Sequence, residues 1–138
     1  MAFAGINYLG VVVAAVVGFI FGGIWYGVLG KTWMVALGKT EAEIKARRME
    51  VAPMVITFVA MLVMAWMLAG LVGHFGAGEP TVRNGMIAGA CVWLGFVITT
   101  QVANHAFQGQ KRMLTVIDGG HWLGVLLIQG AAIGAIGL

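Results

Sequence analysis

The chain has 138 residues, of which 61% are apolar and only 9% charged, against a usual charged share of about 25%. Its mean hydropathy is +0.98 and its formal charge +3, and its single cysteine, Cys91, rules out an internal disulfide framework or a multi-cysteine metal site. A soluble domain this small needs a polar shell that this composition cannot supply, which excludes an ordinary soluble enzyme, a disordered tail and a nucleic-acid module, and predicts an all-α integral membrane protein.

A bilayer core of about 30 Å requires about 20 apolar residues of helix, and four stretches meet that length. The first, residues 6–29, carries no charge. Its start lacks a basic region and its apolar run is a full span long, so it is expected to be a retained helix rather than a signal peptide. Residues 30–50 follow as a basic linker. Within it, 30–38 is expected to lie at the interface with Trp33 as anchor, and 40–50 to form a short cytoplasmic helix. Thr40 and Glu43 have the spacing of a capping box, and Glu41–Lys45 and Glu43–Arg47 stand four apart in the favourable order. Its charges are expected to form a solvated face beside anionic headgroups.

The second stretch, residues 51–73, opens near Pro53, which suits a first helical turn. Met54, Met61, Met64 and Met67 with Leu62 and Leu68 predict a bulky outer surface, facing lipid or a large partner; without histidine or cysteine nearby, the methionines read as packing rather than as a copper site. The third stretch, 82–107, holds one charge, Arg83, near its start, and the fourth, 113–138, holds only Asp118. The four stretches make one transmembrane domain, a four-helix bundle. Seven basic residues fall in the first and third linkers and one, Arg83, on the other side. The positive-inside rule then places both termini outside a bacterial cytoplasmic (inner) membrane.

Packing is signalled by 22 glycines. Gly18/Gly22 and Gly23/Gly27 in the first stretch, Gly85/Gly89 in the third, and Gly120/Gly124 and Gly130/Gly134 in the fourth stand four apart, which lets helix backbones approach. They predict a tight bundle, with a surplus on the first and fourth helices available to a second copy.

Polar groups inside the spans are the candidate site, since an ionisable residue in a membrane is costly. Asp118 and His121 share a face of the fourth helix, continued by Gln129. Gln101, Asn104, His105 and Gln108 make a second stripe on the third. The short third linker forces an antiparallel hairpin folded near residue 110, so the stripes meet at similar depth, where the first helix brings Trp25 and Tyr26. The expected cluster is Tyr26, Asn104, His105, Asp118 and His121, with Trp25 and Gln101 nearby and Asn104 and Tyr26 as partners of Asp118. Three readings stay open: a clamp satisfied within the bundle, a small cavity for an ion, proton or polar solute, and a histidine–aspartate metal tripod. His74 is expected in solvent.

Hydrolase and transferase signatures are missing: the chain has no serine, no His-Glu-x-x-His and no phosphate-cradling glycine loop. Small glutathione-using membrane enzymes are similar in architecture only, because their Arg- and Asn-bearing helix motif is not found. The residues Asn7-Tyr8-Leu9, Trp25-Tyr26-Gly27 leading to Gly30-Lys31-x-Trp33, Trp93-Leu94-Gly95-Phe96, and Asn104 to Phe107-x-Gly109 leading to Ile117-Asp118-Gly119 resemble the domain of unknown function 1761 family, small four-span membrane proteins of bacteria and fungi. The resemblance covers nearly the whole chain and implies the four-helix fold and no activity. The chain departs from it at Val28 and Leu29, where many members carry a proline. The expected function is association in the membrane, as a homo-oligomer or accessory subunit, without nucleic acid, cofactor or metal. The alternative is permeation of protons or a small polar solute through the polar cluster, and a membrane enzyme is third.

Overall fold

The computed structural model describes residues 3, 5–48, 50–75 and 80–137, and among them the only regular secondary structure is helical. Helix α1 runs from Tyr8 to Leu37. Asn7 starts it in an extended conformation, its Oδ1 accepting from the N–H groups of Leu9 and Gly10 at 3.1 and 3.3 Å. Gly38 ends it at φ +73°, its N–H donating to the carbonyls of Met34 and Val35. The helix therefore passes the expected end at residue 29 by eight residues. Lys31 ends the apolar run but not the hydrogen-bond ladder, and no proline at Val28 or Leu29 interrupts it. Residues 30–37 continue the span's helix instead of forming a separate interfacial turn.

Helix α2, Glu41–Arg48, carries the predicted capping box: Glu43 N–H donates to Thr40 Oγ1 at 3.3 Å, and Thr40 Oγ1 donates to Glu43 Oε1 at 3.0 Å. Glu41 pairs with Lys45 at 3.2 Å, whereas Glu43 is turned back to its cap. Helix α3, Ala52–Phe75, buries Met61, Ala65, Leu68, Ala69 and Val72, which recur at intervals of three and four. The predicted methionine surface is thus corrected. Met61 and Leu68 are core, while Met67 on the opposite face and Met54 in the first turn are exposed.

The third span is interrupted. Helix α4, Val82–Val92, is capped by Thr81, passes into a π-helical turn over Trp93–Val97, and resumes as α5, Ile98–Phe107. Gly109, at φ +67°, turns the chain into α6, Arg112–Ile136. Most of the linker between α3 and α4, residues 76–79, lies outside the described residues, as does 138 at the expected end of the fourth span.

Helix α6 is the axis of the bundle and packs against α1, α3 and α4. Its glycines set the distances. A Cβ on Gly85 would overlap the Gly130 carbonyl, one on Gly89 the Leu126 carbonyl, and one on Gly134 the Thr81 carbonyl, so α4 and α6 touch backbone to backbone. Gly120 and Gly124 receive the rings of Trp25 and Phe21 from α1. The surplus predicted on the fourth helix is therefore absent; Gly120, Gly124, Gly130 and Gly134 are all covered from within. Of the four predicted stripe glycines on α1, Gly18 and Gly22 are covered, by Val125, Gln129 and His121, while Gly23 and Gly27 meet nothing within 4 Å. Four helices are long and apolar enough to cross a membrane, which makes this a multi-pass membrane protein.

Candidate functional site

The π-helical turn sets how α5 is rotated relative to α4. At about 100° per residue, an unbroken helix would place Gln101 about 160° away from Gly85, on the far side of the span; one residue absorbed in the turn brings it back to about 60°. The Ile98 N–H donates to the Trp93 carbonyl, five residues back, as the wider turn requires. Carbonyls displaced by it need partners in a bilayer. Thr99 Oγ1 donates to Gly95 O at 3.0 Å and Thr100 Oγ1 to Phe96 O at 2.8 Å.

With that register, Gln101 Oε1 sits beside Gly119, and His105 Nδ1 lies 2.7 Å from Thr115 Oγ1. These pairs agree with the hairpin folding predicted near residue 110. Asn104 and Gln108 are exposed on the outer side, and Asn104 is not the partner of Asp118 as expected. The stripe reaches α6 along one edge only, through Gln101 and His105, so its centre line turns outward.

Asp118 is half-buried about two turns into α6 and accepts the Tyr26 hydroxyl at 2.6 Å. One residue earlier, Trp25 Nε1 donates to the Ile117 carbonyl at 3.1 Å. From the opposite side, Trp93 Nε1 donates to the Gly119 carbonyl at 2.7 Å. Three successive residues of α6 are thereby held by α1 and by the π-helical turn. The missing side chain at Gly120 admits the Trp25 indole, and the one at Gly119 admits Ile98. Deeper in the bundle, Gln129 is fully buried, and its Nε2 donates to the Met61 carbonyl of α3 at 3.1 Å.

His121 joins the two levels. It is buried, with its ring against Tyr26 (centroids 4.9 Å apart), Trp122 (4.6 Å) and Phe21 (6.3 Å, nearly parallel). Gly22 faces it, and a Cβ there would stand 2.8 Å from its Nε2. Among the described residues, Trp33 Nε1, Gln101 Oε1, His121 Nδ1 and Gln129 Oε1 are buried without a hydrogen-bond partner.

The predicted cluster of Tyr26, Asn104, His105, Asp118 and His121, with Trp25 and Gln101 nearby, is thus brought together in part. Tyr26, Trp25, Asp118 and His121 share one locus, with Gln101 at its margin. His105 belongs to a separate contact near the α5–α6 turn, Asn104 is outside, and Gln129 lies about two turns deeper. Trp93 and Thr115 were missed as partners. Thr115 could have been found from the hairpin arithmetic that pairs 101 with 119; Trp93 depends on the π-helical turn, which has no sequence signature. His74 ends α3 and is exposed. Among the described residues, no three of His, Cys, Asp and Glu come together in a way that could hold a metal ion, His105 lying apart from Asp118 and His121. What remains chemically is a carboxylate with one strong donor and an imidazole in an aromatic cage.

The match to known proteins is at family level. The chain belongs to the family described as Protein of unknown function (DUF1761), whose model matches residues 9–134. No curated protein and no solved structure matches the chain.

Proposed function

We propose that this protein acts by associating with other membrane chains, as a homo-oligomer or as an accessory subunit of a larger complex, with its interior polar groups serving as a clamp that fixes the bundle. The observation that carries the reading is the imbalance between spans. Over its most apolar eighteen residues the third span is 6% buried within the chain, whereas α6 is 44% buried. The outward face of the third span presents Leu94, Gly95 and Phe96 at mid-span, where the bare backbone at Gly95 permits close approach of another helix. The clamp is supported by Tyr26, Trp25, Trp93 and Gln129, each of which bonds a different helix from its own. The orientation that accompanies this proposal has the basic linkers in the cytoplasm of a bacterium and both termini outside.

The test is mass measurement and cross-linking in native lipid. Assembly larger than one chain, reduced by Gly95→Leu with helical content unchanged, is the expected result. A single chain with no co-purifying protein overturns it.

A second reading, passage of protons or a small polar solute, is favoured by the unpartnered buried atoms His121 Nδ1 and Gln129 Oε1, which share a face of α6 with Asp118, and by Gln101 Oε1 on another side of that helix. Proteoliposomes subjected to a pH step separate the two: passage that Asp118→Asn abolishes without unfolding supports transport, and tight vesicles exclude it.

A further inference from the structure

Helix α1 is longer than the hydrocarbon core of a membrane is thick. Its 30 residues extend about 45 Å, roughly 15 Å more than the hydrocarbon core. Gly23, Gly27 and Lys31 follow one another at intervals of four and so share one face. A Cβ built on either glycine meets nothing within 4 Å, and Ile20, Ile24 and Val28 beside them are exposed. That face is a notch with apolar walls, open to the bilayer, with a lysine at its polar end.

The notch runs into a groove of about 460 Å³ between the end of α1 and the start of α2, lined by Gly27, Gly30, Lys31, Met34, Lys39 and Glu41 among others. Its charge is unbalanced. Glu41 is already paired with Lys45, and neither Lys31 nor Lys39 has an ion-pair partner among the described residues. A third ammonium stands at the rim, where Lys111 Nζ donates to the Val35 carbonyl at 3.2 Å. A cationic groove at the membrane boundary, continuous with an apolar notch below it, matches one kind of molecule.

We propose that this groove and notch hold an anionic phospholipid, its phosphate between Lys31 and Lys39 and one acyl chain along Gly23 and Gly27. Charge speaks against a second copy here. Two α1 helices meeting in parallel through the notch bring Lys31 to Lys31, with no carboxylate on that face to offset them. A phosphodiester supplies the missing negative charge, and an acyl chain fits a furrow one side chain deep. The site is independent of the third span and of the proposed assembly.

The experiment uses the full chain in phosphatidylcholine vesicles containing a minor share of spin-labelled phosphatidylglycerol, or of the spin-labelled choline lipid as control, and reads the motionally restricted fraction of each. The unaltered protein is expected to prefer the glycerol lipid. Lys31→Gln and Lys39→Gln should each lower that preference by about five-fold, as the usual attraction of one lysine to an anionic surface dictates, and Lys31→Arg should keep it. Gly27→Leu, which fills the notch and leaves the charge unchanged, should release the glycerol lipid as well. All four changes are on exposed positions, and circular dichroism confirms that each variant is folded. Equal restriction of the two lipids by the unaltered protein, or an unchanged preference in both glutamine variants, overturns the proposal. Loss of the preference on adding inorganic phosphate assigns the groove to a small anion instead, and a fall in assembly mass for Gly27→Leu assigns the notch to a helix of another chain; either result overturns it too.

Discussion

Helix α1 contains the same motif twice, one residue out of step, and the two copies meet different fates. Gly18 and Gly22 lie under α6, where an added Cβ would stand 3.3 Å from Val125 Cγ1 and 2.8 Å from His121 Nε2 respectively. Gly23 and Gly27, next to them in a repeat of the same spacing, touch nothing. Rotation by one residue's worth of helix, about 100°, separates a packed backbone from a bare one. Spacing of four establishes only that two glycines form a stripe; the direction in which the partner helix lies decides what the stripe does.

The comparison breaks most readily at Gly22. Gly22→Ala pushes a methyl into the His121 ring, which Phe21, Tyr26 and Trp122 keep from moving, and should cost about 1–3 kcal/mol of stability in detergent. An unchanged melting temperature would mean that the covered face is looser than described. A smaller loss, about 1–2 kcal/mol, is expected for Asp118→Leu, which strands the Tyr26 hydroxyl. Asp118→Asn keeps an acceptor in the same place and should melt close to the unaltered protein. If the two variants melt together, the Tyr26 bond adds nothing to the joint between α1 and α6. The smallest effect belongs to the open face. Gly23→Ala gains helix propensity without a clash and should leave the melting temperature unchanged or raise stability by up to about 1 kcal/mol.

Much of the architecture was legible because it follows from length and hydropathy. The second and third spans begin and end within about two residues of their expected places, since apolar runs and helices stop together there. The first does not, because its helix outlasts its apolar run: Lys31 ends the apolar run, and Gly38 ends the helix. Within the site, Tyr26 and Asp118 were legible by counting depth from the two ends of the bundle. Asn104 was misassigned for a different reason. Its depth was right, but Gln101 and His105 on one edge of the stripe take the contact with α6 and leave Asn104 outside. The methionines of α3 erred similarly: bulk alone does not say which way a side chain faces, and Met61 sits at the centre of the core.

The wider turn at Trp93–Val97 also has a hereditary meaning. The third span contains one codon more than a regular helix of its register needs. Loss of a single codon at Gly95 would let α4 run into α5 as uninterrupted α-helix, with Gly85, Gln101 and His105 keeping their faces. The same loss in α6 has no slack to absorb it. Everything beyond would swing by about 100°, carrying Gln129 off the face it shares with His121. Chains descended from a common ancestor can therefore differ by one residue in the middle of the third span and still superpose at both of its ends, whereas the length of α6 is held fixed by its neighbours.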